Sequence, residues 1–95
     1  MAVLLRSKVV GQTLASYDRI AGNISEAERI RKAPGFIAQA VYEGSDGVEA
    51  IEIWESSELY RAWDNGFRPE VDQGLAAEHL QIEEEMVNIY NLVLP

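Results

Sequence analysis

The sequence predicts an α+β domain in which four strands form one antiparallel sheet. Three observations lead to this prediction. The 95 residues are the length of one domain. Along the chain, segments in which apolar and polar residues alternate, as in strands, are followed twice by segments in which apolar residues recur at helical spacing. A glycine-rich turn joins two strand-like segments in mid-chain. Residues 1–95 are therefore expected to form a single domain, without a linker or an internal repeat.

The first third of the chain predicts one strand and one helix. Val3–Gln12 is rich in Val and Leu, which favours a strand. Beyond it, apolar residues recur at helical spacing and charged residues occupy the opposite face. We expect one helix over Leu14–Lys32, kinked near Gly22 and ended by Ala33-Pro34-Gly35.

The middle third predicts a β-hairpin. Phe36–Glu43 alternates as a strand, and Val48–Glu55 returns with its two Ile residues on the side opposite to Trp54. The four residues Gly44–Gly47 form the kind of turn that joins antiparallel strands.

The last third predicts helical segments and a final strand. Ser56-Ser57 can cap a second helix, and Asn65-Gly66 is expected to end it. Pro69 fits the first turn of another short helix, and Met86–Leu94 is the expected last strand. The order is β-α-β-β-α-β with one extra helix, which is the ferredoxin-like split βαβ arrangement with an antiparallel four-stranded sheet.

Both faces of the predicted sheet carry apolar residues, although two or three short helices can cover only one face. The last strand, for example, has apolar residues on both sides: Met86, Tyr90, Leu92 and Leu94 on one, Val87, Ile89 and Val93 on the other. A second copy would bury the open face, at about 25 cal/mol per Å² of apolar area. We predict a homodimer in which two sheets meet face to face; ordinary scattered surface residues are the alternative.

Composition excludes several classes of partner and site. Sixteen acidic and eight basic residues give a net charge of −8, which repels nucleic acid. Without cysteine, disulfides and thiolate chemistry are excluded, and one histidine excludes a multi-histidine metal site within the chain. No apolar stretch reaches transmembrane length, and Arg6 and Lys8 interrupt the N-terminal apolar run. We expect a cytoplasmic protein with no nucleic-acid or membrane partner.

Residues 54–63, Trp-Glu-Ser-Ser-Glu-Leu-Tyr-Arg-Ala-Trp, resemble the antibiotic biosynthesis monooxygenase family. In that family a strand ending in Trp-Glu-Ser precedes a helix with an aromatic residue six positions after the Trp. The Pro-Gly-Phe sequence at 34–36 is also typical. The resemblance spans essentially the whole chain and implies the dimeric α+β barrel fold.

One branch of the family converts anthrone- or phenol-like molecules to quinones with O₂, without metal or flavin. The resemblance implies this activity here, with the Trp54 indole and the Tyr60 hydroxyl as catalytic donors. His79 is the one side chain expected to titrate near neutrality and is the predicted general base. Ala50 stands where that branch has an Asn. No cofactor and no metal are expected.

Further residues are predicted to bind the aromatic substrate: Ser7, Tyr17, Trp63 and Phe67. Core packing is the alternative explanation for the two tryptophans, and a hydrogen-bonded surface histidine is the alternative for His79. The run Glu83-Glu84-Glu85 is expected to be solvated surface.

A second branch of the family degrades haem, and it provides the alternative function and cofactor. Trp63-Asp64-Asn65-Gly66 resembles that branch, whereas Ser7 stands at its Asn position. Its axial histidine would fall near Asp72 or Gln73, ahead of His79. A non-catalytic small-molecule binder on the same fold is the third possibility.

Overall fold

The computed structural model describes all 95 residues and has the predicted sheet and helices. The elements are β1 (Val3–Val10), α1 (Leu14–Asn23), α2 (Glu26–Arg31), β2 (Phe36–Glu43), β3 (Gly47–Trp54), α3 (Ser57–Ala76) and β4 (Glu83–Asn88). The sheet has four strands in the order β2-β3-β1-β4, and every neighbouring pair is antiparallel. The predicted ferredoxin-like α+β fold is confirmed. No helix is both long enough and apolar enough to cross a membrane.

The core beneath the helices is divided into two buried clusters. One cluster surrounds Trp54, which is completely buried, and contains Val3, Leu5, Ile30 and Tyr60. The other contains Val9, Ile20 and Leu75. Between them the β1–β3 register pairs Ser7 with Ala50. These two side chains are too small to fill the space that Leu and Val fill on either side, so the sheet surface is recessed there.

The three predicted helices have different limits in the structure, and the separate short helix expected from Pro69 is part of α3. The single helix expected over Leu14–Lys32 is divided at Ser25, whose φ of 54° is left-handed. Conversely, Asn65-Gly66 does not end α3, which continues through Pro69 to Ala76. Packing explains this continuation, because the buried side chains of Phe67 and Leu75 extend the apolar stripe past the weak helix formers.

The last strand also differs from the prediction, since β4 is Glu83–Asn88 and not Met86–Leu94. Its pairing partner sets this limit. In the β1–β4 register Val3 pairs with Asn88, so β1 offers no further strand residues beyond that point. Tyr90 and Val93, in the segment that follows, are 103% and 82% exposed.

The open face of the sheet is apolar in one half and charged in the other. Leu4 and Ile53 are cross-strand neighbours in the apolar half, and Val87 pairs with Leu4. The charged half includes Arg6 and Glu85, whose side chains form an exposed ion pair at 3.4 Å. The expectation of two apolar faces is therefore correct for only part of the sheet.

Candidate active site

A partly open cavity of about 80 Å³ lies over the recessed part of the sheet, between the two core clusters. Ser7 and Ala50 form part of its floor, and side chains of α1 and α3 form its walls. Most of the lining is apolar, but two hydrogen-bonded polar groups reach it from opposite sides. A mostly apolar cavity with a few fixed polar groups is the usual form of a small-molecule site.

Five of the seven residues predicted for the site line this cavity: Ser7, Tyr17, Tyr60, Trp63 and Phe67. The structure brings these side chains together, and their roles remain predictions. The rings of Trp63 and Phe67 are stacked, with centroids 4.4 Å apart, and form an aromatic margin.

The other two predicted residues, Trp54 and His79, do not line the cavity. Trp54 is 0% exposed and lies behind it, with its ring 5.7 Å from that of Tyr60. His79 is exposed in the loop after α3, in a left-handed conformation with a φ of 60°. It lies by a separate surface groove with Val10 and Leu80. Its predicted role as a base therefore has no geometric support.

The first polar group joins α3 to β4 through an ion pair. Tyr60, Asp64 and Arg68 are spaced four residues apart and share one face of α3. The Tyr60 hydroxyl donates to Glu84 Oε1 at 2.6 Å, and Arg68 Nη2 donates to Glu84 Oε2 at 2.6 Å. Arg68 Nη2 also donates to Tyr60 Oη at 3.2 Å, and Arg68 Nε donates to Asp64 at 3.0 Å.

This first group supplies donors in fixed protonation states. Burial raises the pKa of Tyr60, and its hydrogen bond to Glu84 raises it further, so the phenol stays protonated. Burial alone would lower the pKa of Arg68. The charge of Glu84 and the hydrogen bond to it outweigh that effect, and the net pKa is raised. Both side chains can therefore donate hydrogen bonds and cannot act as bases.

The second polar group centres on Glu52 of β3 and has no cation. Trp54 Nε1 donates to Glu52 Oε1 at 2.9 Å, and Gln39 Nε2 donates to Glu52 Oε2 at 3.3 Å. The same Gln39 nitrogen donates to Glu26 at 3.2 Å, and the Tyr17 hydroxyl donates to Glu26 at 3.2 Å. No Lys or Arg nitrogen lies within 4.0 Å of either carboxylate.

The environment of Glu52 makes it a stronger base than an ordinary carboxylate. Burial raises the pKa of Glu52, the hydrogen bond from Trp54 opposes that rise, and the nearby charge of Glu26 adds to it. The net result is a raised pKa. Burial, followed by the charge of Glu26, also raises the pKa of Tyr17, which therefore stays protonated.

No protein-family model and no curated protein matches this sequence, but solved structures match its fold. SnoaB, a cofactor-independent oxygenase from Streptomyces nogalater, has a TM-score of 0.69 and 15% identity, over 97% of this chain and 95% of its own. The monooxygenase ActVA-Orf6 from Streptomyces coelicolor, solved with nanaomycin D, has a TM-score of 0.68 and 20% identity, over 99% and 91%. A candidate antibiotic biosynthesis monooxygenase from Deinococcus radiodurans has a TM-score of 0.70 and 12% identity, over 100% and 98%.

The chain has the fold of the antibiotic biosynthesis monooxygenases. This likeness confirms the α+β fold of the single chain that the Trp-Glu-Ser motif implied, and it covers nearly the full length of each structure; the dimer stays a prediction. At identities of 12–20% it does not carry an activity across, because one fold can host many functions.

Within this antibiotic biosynthesis monooxygenase fold, none of the charged residues of the lining was predicted for the site: Glu26, Glu49, Glu52, Asp64, Arg68 and Glu84. Glu84 belongs to the run expected to be solvated surface, but it faces the helices. A signal did exist in the alternation of the strands. Glu52 has the same parity as Trp54 on β3, and Glu84 the same parity as Met86 on β4.

The residues around the cavity do not fit the haem alternative. The lining contains no histidine, and Asp72 and Gln73, near the expected axial position, are exposed and lie outside the lining. The chain also has no cluster of three or more His, Cys, Asp or Glu side chains suited to a metal ion.

Proposed function

We propose that the protein is a cofactor-independent monooxygenase that oxidises an electron-rich aromatic substrate, a phenol or an anthrone, with O₂ in this cavity. The observation that carries the proposal is the cavity itself, with apolar walls and the protonated side chains of Tyr60 and Arg68 at one side. The shared fold with SnoaB, described as a cofactor-independent oxygenase, supports it. Cytoplasmic location is part of the proposal.

The proposed reaction needs little from the protein beyond positioning and charge stabilisation. For an anthrone, a ring CH₂ and O₂ become a C=O and H₂O. The substrate first loses a proton, and the resulting anion gives one electron to O₂. The radical and superoxide then combine into a peroxide, which loses water to leave the new carbonyl. Apolar walls that exclude water strengthen every hydrogen bond to the intermediate anion.

Arg68 is the better placed of the two donors for the substrate oxyanion. Its Nε and Nη2 are committed to Asp64, Glu84 and Tyr60, whereas its Nη1 has no protein acceptor. A guanidinium has five N–H donors, so Arg68 can hold Glu84 and a ligand together. The Tyr60 hydroxyl would have to leave Glu84 in order to donate to a ligand.

The size of the cavity bears on the substrate. Its volume of about 80 Å³ is smaller than the ~150 Å³ of an apolar cavity that binds benzene. An aromatic ligand therefore has to extend through the mouth of the cavity or displace wall side chains. A three-ring anthrone has to extend further beyond the cavity than a two-ring hydroxynaphthalene does.

The proposal includes a homodimer formed through the open face of the sheet. The apolar half of that face, which includes Leu4, Ile53 and Val87, would meet its equivalent in a second copy. A two-fold contact of this kind would brace each sheet beneath its own cavity.

Oxygen uptake by the metal-free, flavin-free protein, tested with anthrones and hydroxynaphthalenes, tests this proposal. We expect uptake above the uncatalysed rate, at least a ~10-fold loss in Arg68→Met, and no change in the matched control Arg31→Met. Arg31 is exposed and makes no side-chain hydrogen bond or ion pair. Background uptake by the wild type with every compound would contradict the proposal, and binding without uptake would indicate a non-catalytic binder.

A further inference from the structure

We propose that Glu52 is the catalytic base of this cavity, the group that accepts the proton lost by the substrate before it reacts with O₂. The inference rests on the proposed function and adds a residue that the sequence motifs do not include. It begins from position. Glu52 lies on the helix-facing side of β3, next to the small Ala50, and its side chain lines the cavity.

The hydrogen bonds of Glu52 orient its carboxylate and leave it able to accept a proton. Each of its oxygens receives one protein hydrogen bond, from Trp54 to Oε1 and from Gln39 to Oε2. A carboxylate oxygen has about two acceptor sites, so each oxygen keeps one for a ligand. Both protein donors are neutral. They fix the geometry without the charge compensation that would make the carboxylate a weak base.

The other candidate bases of the cavity are less suitable. Glu84 receives a charge-assisted bond from Arg68 and a short bond from Tyr60, and accepting a proton would break this ion pair. Glu26 has Tyr17 and Gln39 as donors and lies on α2, at the margin of the sheet floor.

The two remaining carboxylates of the lining, Glu49 and Asp64, are less suitable for other reasons. Asp64 is paired with Arg68 at 3.0 Å. Glu49 has the opposite parity to Glu52 on β3, so its side chain belongs to the open face, where it accepts from the Tyr42 hydroxyl at 3.1 Å. Among the lining carboxylates, Glu52 alone combines a position on the helix-facing side of the floor with the absence of a cation.

The proposed step has a simple proton balance. The carboxylate of Glu52 takes the proton from the acidic C–H or O–H of the substrate and becomes a neutral acid. The substrate anion passes its electrons to O₂ and forms the peroxide. The Glu52 acid then returns its proton to the peroxide anion and gives the hydroperoxide. When the hydrogen that remains on the same carbon leaves as a proton, the C=O forms, the O–O bond breaks, and the departing hydroxide takes up that proton as water.

This role for Glu52 also gives Trp54 a function that does not require contact with the substrate. Trp54 does not line the cavity, but its indole N–H holds Glu52 Oε1 at 2.9 Å. We therefore assign Trp54 as a positioning residue, acting through the carboxylate.

The test compares Glu52→Gln with the matched control Glu85→Gln, which removes a carboxylate from the open face of β4. We expect the catalysed oxidation of anthrone to fall by ~100-fold or more in the Glu52 variant, a typical general-base effect, and to be unchanged in the control. Glu52→Asp keeps a carboxylate and is expected to retain more activity than Glu52→Gln. If Glu52→Gln keeps activity within about threefold of wild type, while Glu52→Asp is no better, the inference is wrong.

A binding experiment without O₂ separates failure of this inference from failure of the proposed function. A carboxylate that accepts the phenolic hydrogen favours 1-naphthol over its methyl ether, because the ether has no proton to donate. We expect this preference to fall at least about threefold in Glu52→Gln and to be kept in Glu85→Gln. If the wild type shows this binding pattern but no oxidation, the proposed oxygenase function is wrong, and the inference that Glu52 is the proton acceptor stands. An equal preference in wild type and Glu52→Gln refutes the role of Glu52, whatever the activity.

Discussion

The two polar groups that reach the cavity use the same residue type in opposite ways. Glu84 is held by Arg68 and by the Tyr60 hydroxyl, both at 2.6 Å, and its negative charge is compensated. Glu52 is held by an indole and an amide, and its charge is not compensated. The comparison indicates that surroundings, more than residue type, determine which carboxylate anchors the fold and which can exchange a proton.

The largest expected effect on stability comes from breaking the ion pair between Arg68 and Glu84, the carboxylate whose charge is compensated. Arg68→Met leaves Glu84 with Tyr60 as its one remaining strong donor, in a position where both ion-pair side chains are about three-quarters buried. We expect a loss of ~2 kcal/mol, which for a domain of this size lowers Tm by roughly 8–16 °C. Thermal unfolding followed by circular dichroism measures it. A shift equal to that of Arg31→Met would show that the ion pair contributes nothing.

A smaller loss of stability is expected when one phenol hydroxyl is removed from each of the two polar groups. Tyr60→Phe removes a short donor to Glu84, and Tyr17→Phe removes a longer donor to Glu26 at 3.2 Å. We expect a loss of ~1–2 kcal/mol for Tyr60→Phe and about half of that for Tyr17→Phe. Urea denaturation of both variants gives the two values, and the reverse order would contradict the ranking of the two groups.

The smallest expected effect is a gain in stability, and it tests Glu52, the carboxylate whose charge is not compensated. Burial raises the pKa of Glu52, so the folded state holds that proton more tightly than the unfolded chain does. Wild type therefore loses stability as the pH rises from the ordinary carboxyl range through this raised pKa. Glu52→Gln lacks that loss, so we expect its stability relative to wild type to increase between pH ~4 and pH ~7.

Urea denaturation of wild type and Glu52→Gln at both ends of this pH range measures the difference. Glu85→Gln is the control, because its carboxylate is exposed and paired with Arg6 at 3.4 Å. A relative stability of Glu52→Gln that stays constant or decreases with pH would mean that the charge of Glu52 is not disfavoured in the fold.

Local patterns were sufficient to predict the sheet and the hairpin, but not where elements end. Alternation and the Gly44–Gly47 turn are local signals, and the structure confirms the hairpin and the antiparallel four-stranded sheet that they predict. The continuation of α3 past Gly66 depends on the burial of Phe67 and Leu75, which no local propensity encodes. The limits of β4 depend on where β1 ends in the paired register.

The site was predictable in its aromatic residues and not in its charged ones. Tyr60 and Trp63 were found because a short motif resembles a family, and both line the cavity. The parity of a carboxylate along its strand indicates which residues share its face, but the residues that lie beside it on neighbouring strands are known only from the register. Glu52 and Glu84 therefore became visible as site residues only when β3 and β4 were placed beside β1. Trp54 was predicted for the same reason as Tyr60, yet it lies behind the cavity wall.

The most direct test of a cofactor-free oxygenase is a single-turnover reaction of anthrone with isotopically heavy O₂. The protein is first freed of metal with a chelator and is then used in excess over anthrone. We expect product to form faster than in the protein-free reaction, with one heavy oxygen atom in the new carbonyl and the other in water. A product formed at the protein-free rate, or a new carbonyl without heavy oxygen, would contradict the proposed function.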